Sequence, residues 1–184
     1  MFKKLSQNFL KNDFKDWSLL QGQELISRYE SFGTVLEYFK ISNMDYLKNI
    51  HTRKFFSIRP DRVSIARITG SGFLYPHRDH GITTVLNYYI SADNDSTIFY
   101  NVKSNAVPVE YPNKLTKNVY HPYDLDEAGR FSANSGDAYL LDVSQIHAVN
   151  KQSPSTRLFL NYSWFSASFC NVLIDIEKVN DGHI

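Results

Sequence analysis

The sequence has one cysteine, Cys170, among 184 residues. A single thiol excludes an intrachain disulfide framework and favours a reducing compartment, in which we expect Cys170 to be an ordinary core residue. The sequence also lacks any apolar run of roughly 18 residues, the length that a membrane-spanning helix needs. Residues 1–12 begin with basic side chains but contain no continuous apolar segment of the kind found in secretory leaders. We therefore expect a soluble, cytoplasmic protein.

A strong excess of one charge is also missing, since 20 Lys and Arg residues against 19 Asp and Glu give a formal net charge of +1. The basic residues are scattered, so nothing in the sequence calls for nucleic acid or an anionic membrane as a partner. The sequence contains no internal repeat and no low-complexity segment. Its length and its 42% hydrophobic content suit one domain with a buried core. The oligomeric state stays open.

The strongest chemical signal lies in the segment Tyr75-Pro76-His77-Arg78-Asp79. In an extended chain, side chains two positions apart point to the same side, so His77 and Asp79 converge on one point. An imidazole and a carboxylate are two of the three groups in a facial metal site that leaves open coordination positions. The pattern predicts that a second histidine, on another strand, completes the site.

His147 is the best candidate for that histidine, because it follows a Gly-Asp turn at 136–137 and an apolar run of strand length. Arg157 lies ten residues later, beyond a polar loop at 150–155. Residues at similar distances from a tight connection come close in space. Because a guanidinium has a fork of donors that matches a carboxylate, Arg157 is predicted to hold the far end of a dicarboxylic ligand whose other end chelates the metal.

His77-x-Asp79, His147 and Arg157 together resemble the motif of the iron(II)/2-oxoglutarate-dependent dioxygenases. The likeness covers roughly residues 62–165. Within that superfamily, the Tyr-Pro pair before His77 and the interval between His147 and Arg157 resemble the aspartyl/asparaginyl β-hydroxylase-like and proline hydroxylase group. Many aspartyl hydroxylases lack the carboxylate that Asp79 provides here, so the resemblance favours members with the full triad and leaves the substrate open.

The resemblance implies a double-stranded β-helix, which is a cupin-like jelly roll. It also implies that His77, Asp79 and His147 are the catalytic residues and bind Fe(II), that 2-oxoglutarate is a cosubstrate with its distal carboxylate on Arg157, and that O2 is consumed. The implied reaction is hydroxylation of an unactivated C–H bond in an amino acid, a peptide or another small substrate, with release of succinate and CO2.

Two further polar residues, Asn87 and Tyr89, share one face of the strand that follows the His-x-Asp pair. They are predicted to assist binding of the cosubstrate. Hydrogen bonding at the edge of the core is the equal alternative.

Each of these residues also has a simpler interpretation. His77 and Asp79 would form a solvated ion pair if they lay in a surface turn. His147 would be a core histidine satisfied by a backbone carbonyl, and Arg157 would face solvent with a packed stem. His80 has the wrong parity to share the face of Asp79, so we expect it at the surface or behind the ligands.

Two other functions fit the same motif. The first is a cupin-like metalloenzyme that does not use 2-oxoglutarate, and the second is a non-catalytic jelly-roll binding module. Arg157 favours the dioxygenase over these two alternatives, because an enzyme without an anionic cosubstrate has no evident need for a guanidinium beside its metal.

We predict one domain in three parts. Residues 1–55 form a helical buttress, with Leu25, Ile26, Tyr29 and Phe32 on one helical face and Asn43 capping a helix over 44–50. Residues 62–165 form the jelly-roll core, and 166–184 form an extension with a further strand at 172–177. The predicted core strands are 62–69, 83–91, 96–102, 138–143 and 157–165.

The segment 103–134 is rich in polar residues and tyrosines, and it is long for a simple connection. We expect it to form a loop that borders the metal site and helps to choose the substrate, and a flexible surface excursion is the alternative. His121 in this segment is predicted to contact substrate and not the metal.

Overall fold

The computed structural model describes residues 1–5, 23–41, 56–109, 116–117 and 119–180. Within these ranges the chain forms two antiparallel β-sheets and one α-helix, α1. None of the helices in these ranges is both long and apolar enough to cross a membrane. The elements are β1 (Phe2–Lys4), β2 (Leu25–Ser31), β3 (Thr34–Lys40), β4 (Arg62–Gly70), β5 (Gly72–Asp79), β6 (Thr84–Ser91), β7 (Asp93–Val102), β8 (Thr116–Lys117), a short 3-10 helix (Pro122–Asp124), β9 (Leu125–Asn134), β10 (Ala138–Asp142), β11 (Ile146–Lys151), β12 (Arg157–Trp164) and α1 (Phe169–Asn180).

The two sheets have the strand order of a jelly roll. The larger sheet runs β1-β10-β6-β12-β4-β3-β2 and the smaller runs β8-β5-β11-β7-β9. Strand β4 pairs with β12, β5 with β11, β6 with β10 and β7 with β9. These pairs nest like one long hairpin that has folded over on itself, and they confirm the jelly-roll prediction.

The central strand β12 is buried along its whole length. This burial arises because both faces of the larger sheet are covered. On the outer face, Leu158, Leu160 and Trp164 join a cluster with Val172 and Ile176 of α1. On the inner face, alternate residues of β12 point toward the smaller sheet, where a second cluster fills the space between the sheets.

The predicted N-terminal helix over Leu25 to Phe32 is wrong, because these residues form strand β2 and the start of a β-hairpin. Phe32 and Gly33 connect β2 to β3 with φ angles of 42° and 77°. Positive φ at both positions is the geometry of a two-residue type I′ turn, which matches the twist of the flanking strands. Phenylalanine is unusual in such a turn. The side chain of Phe32 is 65% exposed, although its position in the sequence would continue the apolar face of a helix. The predicted cap at Asn43 and the helix over 44–50 lie outside the described residues.

The predicted strand at 172–177 is also wrong, since these residues belong to α1. The β-branched residues suggested a strand, but Val172 and Ile176 are four positions apart and both are buried, which is the spacing of a helix. Cys170, expected in the core, is exposed on the first turn of this helix.

The five predicted strands of the core are present as β4, β6, β7, β10 and β12. Strand β9 was missed, because it occupies the second half of the segment predicted as a loop. The apolar run before His147 predicts one continuous strand, but in the structure a turn divides it into β10 and β11. The Asp142 carboxylate accepts a hydrogen bond from Gln145 Nε2 at 3.0 Å in a turn that ends β10. His147 is therefore the second residue of β11, in the opposite sheet.

A close backbone contact joins the β2–β3 hairpin to the connection between β4 and β5. Gly70 has a φ of +84°, and a Cβ atom at this position would lie 2.0 Å from the carbonyl oxygen of Gly33. The neighbouring backbone leaves no room for any side chain there. This contact fixes the hairpin against the start of β5, the strand that carries the His-x-Asp pair.

We predict that Gly70→Ala destabilises the protein far more than Gly81→Ala. Both glycines have positive φ, but a Cβ at Gly81 would meet nothing within 4 Å. Gly81→Ala should cost about 1–2 kcal/mol from backbone strain alone, and Gly70→Ala on the order of 3 kcal/mol or more because of the added clash. Urea denaturation of both variants measures the difference. Equal losses would show that the hairpin moves away freely.

Candidate metal centre

Three side chains converge on one point between the sheets. His77 Nε2 lies 3.4 Å from Asp79 Oδ1, and His147 Nε2 lies 3.7 Å from the same oxygen. The ligand atoms of all three residues lie within 4.8 Å of one another. Two ligands of one first-row metal ion can be at most about 4.2 Å apart, because each lies about 2.1 Å from the ion. The set therefore suits one ion after a small closing movement.

The convergence follows from strand pairing and one irregularity. His77 is directly opposite His147 in the β5–β11 ladder, but Leu74 is opposite Val149, so β5 has one extra residue between the two pairs. Such a β-bulge changes which side chains face inward. Pro76 lies in the bulge, where its missing N–H costs no ladder hydrogen bond. As a result Leu74 and His77, three positions apart, both line the same cavity.

Both imidazoles are oriented by backbone carbonyls. Nδ1 of His77 donates to the carbonyl of Tyr75 at 2.5 Å, and Nδ1 of His147 donates to the carbonyl of Gln145 at 3.0 Å. Because a carbonyl can only accept, the proton of each neutral ring is on Nδ1, and Nε2 keeps its lone pair. Metal-binding histidines are commonly held in this way.

The electrostatics of the site favour a neutral histidine beside an ionised carboxylate. Burial, followed by the neighbouring His77, lowers the pKa of His147 to about 4. Burial opposes ionisation of Asp79, but contact with His77 and the nearby His147 and Arg62 outweigh it, so the pKa of this carboxyl is below its ordinary value. Near neutral pH the site therefore offers an uncharged imidazole at His147 beside a charged carboxylate at Asp79.

Arg157 lines the same cavity as the three candidate ligands, and it is only 2% exposed. Its Nη2 donates to the Tyr89 hydroxyl at 2.7 Å and to Thr97 Oγ1 at 2.9 Å. Its guanidinium also lies 4.6 Å from the centre of the Tyr89 ring. Among the described residues, no carboxylate pairs with Arg157, and its buried Nε and Nη1 have no hydrogen-bond partner. Buried donors of this kind are costly unless a ligand satisfies them.

The two predicted assisting residues have different positions. Asn87 lines the cavity and its Oδ1 accepts a hydrogen bond from Asn161 Nδ2 at 2.7 Å. Tyr89 is fully buried and supports Arg157, as described above. Their roles toward the cosubstrate stay predictions.

Sequence reasoning missed Tyr38 and Asn161, which also line the cavity. Tyr38 lies on β3, in the region predicted as helical. Burial, and then the charge of Asp79, raises the pKa of the Tyr38 phenol above its ordinary value. Asn161 was detectable, because it shares the inward parity of Arg157 on β12.

The other histidines that were considered lie apart from the three candidate ligands. His80 is exposed, as its parity predicted. Nδ1 of His121 is 2.8 Å from the Tyr75 hydroxyl, and its ring stacks on Tyr123, which is 71% exposed. Its predicted contact with substrate is untested.

The segment 103–134 is only partly a loop, since its second half is β9, but its first half does reach the metal-binding strand. Strand β8 pairs with β5 at Arg78 and Asp79. The backbone N–H of Tyr120 also donates to the carbonyl of Pro76 at 3.1 Å. The segment thus borders the strand of two candidate ligands, and its role in choosing the substrate stays a prediction.

No protein-family model matches the sequence, and neither does any curated protein. Among solved structures, the epimerase SnoN in complex with Fe3+, α-ketoglutarate and nogalamycin RO has a TM-score of 0.52 at 14% identity, over 79% of this chain and 69% of SnoN. A 2OG-Fe(II) oxygenase family protein from Burkholderia pseudomallei has a TM-score of 0.43 at 14% identity, over 74% and 70%. Oxalate decarboxylase from Bacillus subtilis has a TM-score of 0.39 at 13% identity, over 76% of this chain and 28% of that one.

The similarity to SnoN shows that the two chains share a fold. At this level of identity it says nothing about the reaction or the ligands of this chain. The narrower resemblance to the aspartyl/asparaginyl β-hydroxylase group receives no support from these comparisons and stays a prediction.

We predict that His77→Ala, Asp79→Ala and His147→Ala each weaken binding of Mn(II) or Fe(II) by more than about 100-fold, because each removes one of three ligand atoms. His80→Ala is the matched control, since His80 is adjacent to Asp79 but exposed. Anaerobic calorimetric titration of the four variants measures the affinities. Wild-type affinity in any of the first three would remove that residue from the site.

Proposed function

We propose that the protein is an iron(II)- and 2-oxoglutarate-dependent oxygenase that hydroxylates an unactivated C–H bond of an amino acid, a peptide or another small molecule. His77, Asp79 and His147 would hold the iron. Arg157 would bind the distal carboxylate of 2-oxoglutarate. The observation that carries the proposal is the presence of both groups in one cavity, a two-histidine, one-carboxylate cluster and a buried guanidinium with unpartnered donors.

The donor set fits ferrous iron. Two imidazoles and one carboxylate leave coordination positions for a cosubstrate and O2, which is the arrangement of non-haem iron(II) oxygenases. When bound, iron with 2-oxoglutarate supplies oxygen activation, in which the cosubstrate is oxidised to succinate and CO2 while one oxygen atom enters the substrate.

Arg157 is prepared for a carboxylate before any ligand arrives. Tyr89 and Thr97 use only Nη2, and so they fix the guanidinium plane while Nε and Nη1 stay available. Nε and Nη1 are both N–H donors of a charged group, and a hydrogen bond from such a donor to a carboxylate is roughly twice as strong as one between neutral groups. Because the surroundings are buried, a carboxylate there would be bound through both charge and hydrogen bonds with little competition from water.

The two alternative functions account for less of the cavity. A cupin-like enzyme without 2-oxoglutarate would explain the His-Asp-His cluster but not the buried guanidinium. A non-catalytic binding module without a metal would not explain the His-Asp-His cluster, since a buried carboxylate is costly without a partner. Whether the metal-loaded protein binds 2-oxoglutarate distinguishes the proposed function from these two alternatives.

The direct test is anaerobic titration of the full chain with Fe(II) and then with 2-oxoglutarate. Chelation of the metal by the cosubstrate should produce a visible charge-transfer absorption that saturates at one equivalent, because the described residues contain one such cluster. Metal binding without this absorption would support the cupin-like alternative. Failure to bind metal would support the non-catalytic module.

We predict that substitutions of Arg157 separate cosubstrate binding from metal binding. Arg157→Ala should weaken 2-oxoglutarate binding by about 2–5 kcal/mol, roughly 30-fold or more, because charge and donors are both lost from a buried site. Arg157→Lys keeps the charge but loses the fork, so its affinity should be intermediate. Titration followed by the charge-transfer absorption measures both.

The control is Arg67→Ala, because Arg67 lies on the neighbouring strand β4 and is bound to Glu37 at 2.7 Å, away from the cavity. Metal affinity should be unchanged in all three variants. Equal 2-oxoglutarate affinity in the wild type and the two Arg157 variants would exclude Arg157 as the carboxylate anchor.

A further inference from the structure

A second arginine, Arg62, faces the region of the metal centre from the other end of the larger sheet. It is the first residue of β4 and pairs with Ser163 of β12. Its guanidinium lies 5.5 Å from the centre of the Tyr38 ring and 6.0 Å from that of Phe165. The guanidinium of Arg62 thus lies close to two aromatic rings, as in a cation–π contact.

The hydrogen-bonding capacity of Arg62 is almost unused. Nη2 donates to Ser163 Oγ at 3.5 Å, which is a long contact, and the buried Nε has no partner. Within the described ranges, no carboxylate forms a salt bridge with Arg62. The nearby Asp61 instead accepts the backbone N–H of Phe165 at 2.7 Å. Arg62 is thus a partly buried cation that, in the described part of the chain, interacts with a carboxylate only through the longer-range charge of Asp79.

The strand register places the two arginines near opposite ends of the paired strands β4 and β12. On β4, Ile68 is opposite Arg157 and Arg62 is opposite Ser163, six residues further along. At about 3.3 Å per residue, the two ends are roughly 20 Å apart along the strands. Asn161, which lines the cavity, lies between them.

Arg62 lies beside one end of the cavity, because its guanidinium is next to the ring of Tyr38, which lines the cavity together with Asp79. Its charge acts on both Asp79 and Tyr38, and these two residues line the cavity together. Phe165, beside Arg62, is 46% exposed, so this end is open to solvent. Arg157, at the other end, is 2% exposed. The buried end suits a cosubstrate, and the open end suits a substrate that must enter and leave.

Tyr38 adds a donor to the same position. Burial raises the pKa of its phenol, so the hydroxyl keeps its proton and can donate. A neutral O–H and a guanidinium at the same end of the cavity suit an anionic oxygen. They offer little to a cationic group, which Arg62 would repel.

We propose that Arg62 binds a carboxylate of the prime substrate at the mouth of the cavity, between the rings of Tyr38 and Phe165, and that the substrate is therefore a small carboxylic acid. This inference rests on the proposed function, since it assumes that 2-oxoglutarate takes Arg157. The substrate carboxylate would stay at the mouth, and the rest of the molecule would extend inward past Asp79. Arg62 is then a residue that determines specificity.

The test uses the full chain with Mn(II) and saturating 2-oxoglutarate, titrated with benzoate or benzamide. Benzoate has a carboxylate for Arg62 and a flat ring that can extend inward past Asp79, whereas benzamide has nearly the same shape without the charge. Bound Mn(II) shortens the relaxation times of nearby ligand protons. We expect faster relaxation for benzoate and little change for benzamide.

Two variants test whether Arg62 is responsible for the binding of benzoate. Arg62→Gln should weaken benzoate binding by about 10-fold or more, because a charge-assisted contact is lost. Arg67→Gln, on the same strand but paired with Glu37, should bind benzoate like the wild type. The affinity for 2-oxoglutarate should not change in either variant. Equal binding of benzoate and benzamide, or unchanged benzoate binding in Arg62→Gln, would overturn the proposal.

Two other outcomes have distinct meanings. If Arg62→Gln weakens Mn(II) binding but not benzoate binding, Arg62 serves to stabilise the Asp79 carboxylate, and the proposal is wrong. If the wild type binds neither Mn(II) nor 2-oxoglutarate, the proposed function fails on that measurement alone. Saturation-transfer NMR from the metal-free protein to benzoate then tests whether Arg62 binds a carboxylate. Transfer lost in Arg62→Gln but kept in Arg157→Gln supports the carboxylate site, and the reverse result contradicts it.

Discussion

The candidate site depends on the pairing of β5 with β11, in which His77 and His147 are direct neighbours. A ladder of backbone hydrogen bonds holds the two strands, so the imidazoles are brought together without any loop that has to close. The bulge at Tyr75 and Pro76 then turns both His77 and Asp79 inward. A shift of this pairing by one residue would direct His147 away from the cavity and dissolve the cluster.

The interior of the jelly roll is also unusually polar for a space between two sheets. Apolar side chains such as Leu74 and Phe159 share it with a cluster of two histidines and an aspartate and with a buried guanidinium. Each charge there lies in a medium of low effective dielectric, where it is costly alone and interacts strongly with a partner. Hydrogen bonds to carbonyls and hydroxyls hold these groups in place but leave their functional atoms free. Such an arrangement is stabilised when ligands bind, and this links stability to ligand occupancy.

Much of this arrangement could be predicted from the sequence, because the decisive signals are local. The spacing of His77 and Asp79 on an extended chain, and the apolar strands of the core, need no knowledge of distant contacts. The position of His147 on β11 was harder to predict, because the turn at Asp142 and Gln145 interrupts an apolar run with few turn residues. His147 lies beside His77 and Asp79, but on a different strand from the one predicted.

The errors near the N-terminus have a different cause. In strands β2 and β3, apolar residues happen to fall at helical intervals, and the type I′ turn uses Phe32 where asparagine or aspartate is common. Long-range pairing of β3 with β4 decides the structure there, and a short-range pattern cannot reveal it. The same error concealed Tyr38, since a residue assigned to a helix gave no reason to expect it beside Asp79.

The candidate metal ligands and the two arginines lie on different sheets. The candidate metal ligands all come from β5 and β11 of the smaller sheet, whereas Arg62 and Arg157 come from β4 and β12 of the larger sheet. Facing sheets pack about 10 Å apart, a distance that the core side chains fix. A ligand that contacts both the metal centre and an arginine must therefore bridge the space between the sheets. Its length and the position of its anionic group are constrained by the packing of the fold, while the segments at the open end remain free to vary the rest of the substrate.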